Sequence, residues 1–162
     1  MKFPATAAEE KQAQVPHNLF VSGLFLLDLL MTPVVIVLNY GMVGMLIPLV
    51  LSGALIAYIF LRSRKKTVWF VDAHWRLSFK HGQWLLLGYA ISALLVFLAW
   101  LISMTAHEAS MGHILWTALT RVALMPTLIA VMVTAVMEGG AIGLASKHEV
   151  PDKIASAFPP TY

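Results

Sequence analysis

Four long apolar stretches, about 18–39, 42–61, 84–105 and 113–137, alternate with polar segments along the 162 residues. An α-helix needs about 20 residues at 1.5 Å rise to cross a ~30 Å hydrocarbon core, and each stretch meets that length. The pattern predicts an all-α integral membrane protein with four transmembrane helices. Tyr40 and Gly41 leave room only for a tight turn, and Ala106–Gly112 is also short. Links of this size predict two antiparallel hairpins. The polar remainder is a tail at 1–17, a central segment at 62–83 and a tail at 138–162. Glu9 and Glu10 stand where a signal peptide would be basic, so residues 1–17 are expected to be a cytoplasmic tail with at most a helical turn over Ala7–Gln14.

The central segment carries two periods at once. From Val71 to Lys80 apolar and polar residues alternate as in a strand, whereas Val68, Val71, Trp75 and Phe79 recur at helical spacing behind Thr67, a residue suited to N-capping. A lone strand at a membrane would leave its backbone groups without partners, and a helix closes its own hydrogen bonds. The expectation is an amphipathic interfacial helix within 62–83, with Trp75 and Phe79 at headgroup depth and Arg76 and Lys80 toward water. Arg62, Arg64, Lys65, Lys66 and Trp69 complete a cationic, aromatic surface for lipid headgroups or a partner subunit.

Charge then gives the chain a direction. The 1–17 tail holds Lys2 and Lys11, the central segment holds six of the eleven Lys and Arg residues, and the last tail holds Lys147 and Lys153. The two remaining links hold none, and Arg121 lies inside an apolar stretch. This asymmetry predicts that both termini and the central segment are cytoplasmic, the N-in/C-in arrangement of a bacterial inner-membrane protein. The composition agrees, with 59% hydrophobic and 12% charged residues against roughly 25% charged in soluble domains. A pI near 9.3 therefore reports topology, and no nucleic-acid partner is expected. The absence of cysteine excludes disulfides, thiolate catalysis and cysteine-ligated metals.

Candidate chemistry is sparse. Asp28 lies about 15 Å into its stretch by helical rise, where a carboxylate costs about 2.5–3.5 kcal/mol without compensation. Thr32 and Asn39 share its helical face, and Arg121 is its expected partner in an intramembrane ion pair, across an axial gap of roughly 5–9 Å. Pro33, Pro48 and Pro126 each remove a backbone hydrogen bond from an apolar stretch. His17 and His81 fall at the inner edge and His107 and His113 at the outer edge, where wetted imidazoles are expected. His107, Glu108 and His113 are weak metal-ligand candidates, at a spacing that fits no established motif. No nucleotide-binding, zinc-protease or serine-hydrolase pattern occurs, so no catalytic residue and no cofactor are expected.

These features favour a non-catalytic accessory or assembly subunit of a larger membrane complex, respiratory or secretory, with lipid and other membrane subunits or further copies of itself as partners. One alternative is a small oligomeric transporter or channel using Asp28. Another is a redox subunit holding haem or quinone near the edge histidines.

Overall fold

A computed structural model describes residues 1–38 and 41–160, so Asn39 of the expected polar face and Tyr40 of the first turn lie outside the described residues. The regular elements are helices: α1 (Ala7–Gly23), a π-helical segment (Leu24–Met31), α2 (Thr32–Val37), α3 (Gly41–Ser63), α4 (Trp69–Met104), α5 (Ala109–Ala123), α6 (Met125–Ser146) and α7 (Asp152–Ala157). Among the described residues there is no strand, only an isolated antiparallel bridge between Lys2 and Glu149. Four helical lines, 7–35, 46–63, 69–104 and 109–146, are long and apolar enough to cross a membrane. Only 17% to 28% of their apolar windows is buried within the protein. Leu94 and Val136, for example, are 58% and 76% exposed. Apolar surface this extensive requires a nonaqueous cover, and a bilayer supplies it.

The helices outrun the apolar stretches at one end. Alpha-helix α4 has 36 residues, about 54 Å at 1.5 Å per residue, whereas a bilayer core needs about 20 residues. This corrects the expectation of a separate interfacial helix, because residues 69–83 are the first turns of the helix that carries the third apolar stretch. Extending an existing helix avoids the cost of a second nucleus. Gly82 does not interrupt it; a Cβ there would stand 3.2 Å from Ile56 Cγ2, so the glycine permits close packing. Helix also replaces most of the expected N-terminal tail. Thr6 and Glu9 form a capping box at the start of α1, Thr6 Oγ1 accepting from the Glu9 amide and the Glu9 carboxylate from the Thr6 amide.

The chain divides into two compact units, Met1–Gly82 with Ala135–Tyr162, and Gln83–Thr134. In the first, the line from α1 to α2 packs along α3. Gly23 allows the approach, since a Cβ there would meet the Leu55 side chain. A small core of Ala13, Phe70, Ala73, Leu77, Ala145 and Ile154 joins α1, α4, α6 and α7. Met1–Phe3 is tied across its edge by Phe3 N–H to the His148 carbonyl at 2.9 Å and Val150 N–H to the Met1 carbonyl at 2.9 Å.

In the second unit Gly88 lies against α6, where a Cβ would be 2.5 Å from Ala130 Cβ and 3.3 Å from the Pro126 carbonyl oxygen. Pro126 has no N–H to continue the preceding turns, and the helix breaks at Leu124 between α5 and α6. The new N-terminus needs side-chain acceptors. Ser92 of α4 provides one, its Oγ accepting from Thr127 N–H at 3.1 Å and from Thr127 Oγ1–H at 2.9 Å.

The two glycine environments set a comparison. Gly88→Ala overpacks a short, stiff contact and should lower stability by about 1–3 kcal/mol. Nothing lies within 4 Å of the Cβ position at Gly143, so Gly143→Ala should instead stabilise its helix by about 0.5–1 kcal/mol. Thermal unfolding of both variants in one detergent checks the opposite signs; equal behaviour contradicts the packing described for Gly88.

Candidate functional site

The first unit buries four titratable side chains in a continuous hydrogen-bonded chain. His17 comes from α1, His74 and His81 from α4, and Glu138 from α6. His74 and His81 are seven residues apart, two turns, and so share a face of α4. His17 Nδ1 lies 2.5 Å from Glu138 Oε2, His81 Nδ1 lies 3.0 Å from Glu138 Oε1, and His17 Nε2 lies 2.9 Å from His74 Nδ1. The order is His81–Glu138–His17–His74. The side chains of His17 and Glu138 are fully buried, and that of His81 is 8% exposed; His74 is also fully buried. His81 alone connects the chain to the surface.

Hydrogen-bond logic assigns the protons. An ionised Glu138 can only accept, so both facing Nδ1 atoms carry hydrogen. Neutral His17 then accepts at Nε2 from His74 Nδ1–H, which leaves His74 Nε2 bare. That nitrogen is buried without a hydrogen-bond partner, with the Glu149 backbone nearby but outside bonding geometry. One added proton reverses the His17–His74 bond, with His17 Nε2–H donating and the His74 hydrogen moving to Nε2. The chain can thus take up a proton without moving a heavy atom far. Its rings are fixed from outside. Phe70 packs edge-on to His74 with centroids 4.9 Å apart, and Ser78 Oγ–H donates to the Pro16 carbonyl at 3.4 Å, joining α4 to α1 beside His17.

An apolar cleft of about 380 Å³ opens beside His81, lined also by Leu77, Met137, Gly140, Ala141, Leu144 and Pro151. His81 is its one ionisable lining side chain.

The basic segment folds around a carboxylate. Asp72 accepts from Thr67 N–H at 2.6 Å and Thr67 Oγ1–H at 2.7 Å, and Arg62 Nη1 stands 3.7 Å away. Thr67 is therefore a donor to Asp72 rather than the expected cap. The guanidinium groups lie over rings: Arg62 over Trp75 at 5.2 Å, Arg64 over Phe60 at 4.2 Å and Arg76 over Phe158 at 3.9 Å. Trp75 is 4% exposed and meets Tyr58 edge-on. This corrects its expected place at headgroup depth, because protein covers the ring. Phe79 packs on Phe60 and Trp69 on Phe3, the Trp69 indole also donating to the Phe158 carbonyl at 2.7 Å. Lys65, Lys66 and Lys80 are exposed.

Asp28 sits inside the π-helical segment, where Ser52 Oγ–H donates to Oδ2 at 3.3 Å. Arg121 is exposed near the end of α5, in the other unit. His107 and Glu108 lie between α4 and α5 and His113 within α5, all exposed. Among the described residues no group of histidines and carboxylates is arranged to hold a metal ion. The burial of this chain runs against the sequence expectation, in which His17 and His81 are wetted edge residues and His74 and Glu138 belong to no site. The available signal was one-sided clustering, since these four residues flank three apolar stretches on the side that also carries the basic residues.

Glu138→Ala removes the acceptor of two buried imidazoles, and each buried donor left unsatisfied typically costs about 1–3 kcal/mol. Glu10→Ala breaks a partly exposed contact with His148, 3.3 Å long, and should cost about 0–1 kcal/mol. A clear separation of the two melting temperatures is expected; a Glu138→Ala loss as small as that of Glu10→Ala contradicts the burial of the chain.

Comparison of the sequence and fold with protein families, curated proteins and solved structures found no match.

Proposed function

We propose that this chain is a multi-pass inner-membrane subunit that contributes a proton-exchanging centre to a larger membrane complex. The observation that carries this reading is the buried His81–Glu138–His17–His74 chain, in which only His81 retains any exposure. Imidazole and carboxylate are the side chains best suited to passing protons near neutral pH. The chain ends inside the protein at His74, which fits uptake and return of a proton through His81 better than conduction across the membrane. The absence of catalytic sequence motifs supports an accessory role beside other subunits, respiratory or secretory.

The orientation is part of the proposal. The basic residues of both tails and of 62–83 favour the cytoplasm for the unit that holds the His–Glu chain. Single cysteines can be introduced without background because the native chain has none. An impermeant thiol reagent added from outside should label Glu108→Cys and spare Lys65→Cys and Lys153→Cys. The reverse labelling inverts the topology.

Transport through an oligomer is a second reading, supported by the π-helical turns around Asp28, since such turns recur at functional sites.

Proton exchange has a direct readout. With histidine ring nitrogens labelled with ¹⁵N, the His17 and His74 signals should change together in one step of a pH titration. Glu138→Gln should uncouple them from His81. Three rings that titrate independently, or do not change at all, would exclude a shared proton.

A further inference from the structure

We infer that the cleft beside His81 is a binding site for a quinone-type ligand, a lipid-soluble ring carrying carbonyl acceptors. The inference rests on the proton-exchange reading of the His–Glu chain and names the ligand that its His81 end would hold by a hydrogen bond. Four observations converge. The cleft holds about 380 Å³, within the range of small-molecule sites, and its walls are apolar apart from His81. Glu138 engages His81 at Nδ1, so Nε2 is the ring nitrogen left for a ligand. While Nδ1–H is held by Glu138, a proton taken up by His81 resides on Nε2 and makes it an N–H donor suited to a carbonyl oxygen. Gly140 forms part of the wall, and nothing lies within 4 Å of its Cβ position. Packing within the protein leaves that space open, and a flat ring can lie against bare backbone there.

The site is also placed for a ligand arriving from lipid. His81 is one turn from Trp84, which is 55% exposed, and exposed tryptophans mark the membrane–water interface. A ligand with an apolar tail can keep that tail in the bilayer while its ring reaches His81. A hydrocarbon chain alone would fill the volume but leave the Nε2 site unsatisfied, and a polar metabolite would find no second partner among the lining side chains.

Photolabelling tests the site in the full-length protein in lipid nanodiscs, using an azido-benzoquinone with a decyl tail. Saturable labelling is expected on the peptides that carry Leu77–His81 and Gly140–Leu144. An unlabelled decyl-benzoquinone should displace it, and a decyl-benzene of the same size should not. Gly140→Leu fills the open wall and should reduce labelling at least tenfold with a melting temperature no lower than that of the wild type. Gly140→Ala should give an intermediate loss and serves if the larger side chain disturbs folding. Equal displacement by decyl-benzene would show an apolar cleft that takes lipid chains only. That result, labelling elsewhere, no saturable labelling, or wild-type labelling in both Gly140 variants would overturn the assignment. The NMR titration uses ligand-free protein, so coupled histidines with failed labelling would refute the ligand and spare the proton centre.

Discussion

Burying Glu138 is the constraint on which the first unit depends. A carboxylate without solvent must be matched by donors, and both of its oxygens are matched here by imidazoles from two other helices. To deliver those donors, α1 and α4 have to continue as helices past the apolar stretches that define their spans, and α6 has to do the same. The helical overhang and the His–Glu chain therefore require each other. Alanines at 13, 73, 141 and 145 let these overhangs approach closely, and Phe70 and Ile154 fill the space between them.

The basic segment follows the same logic with opposite charge. Arg62 and Thr67 converge on Asp72, which closes the link between α3 and α4. Three guanidinium groups spread over aromatic faces, an arrangement that keeps cations close to apolar surface while part of each remains hydrated. Lys65, Lys66 and Lys80 stay exposed and keep the positive charge that membrane orientation depends on.

In the second unit, packing relies on small residues and hydroxyls rather than on ionic groups. Between helices surrounded by lipid the hydrophobic effect contributes little, so close approach at Gly88 and hydrogen bonds between Ser92 and Thr127 take over. Ser92 also meets the need created by Pro126, because a helix restarted after a proline has amides to satisfy.

The sequence by itself determined the helical class and the four spanning segments, because lipid admits few alternatives to a continuous apolar helix and each segment had the required length. It also placed the Lys and Arg residues, apart from Arg121, in the two tails and the central segment, with none in the two remaining links. Periodicity identified helix over 69–80 but not its continuity with the third span, since amphipathic and uniformly apolar turns look like separate elements when read by composition. The destination of Trp75 was hidden for a related reason: an apolar helical face has the same pattern whether lipid or Tyr58 and Arg62 cover it. The His–Glu chain was decided by tertiary structure alone. His17, His74, His81 and Glu138 are up to 121 positions apart, each at or near the edge of an apolar run, and an edge histidine in isolation reads as wet. Only the packing of α1, α4 and α6 past the ends of those runs removes the water and joins four separate polar residues into one hydrogen-bonded chain.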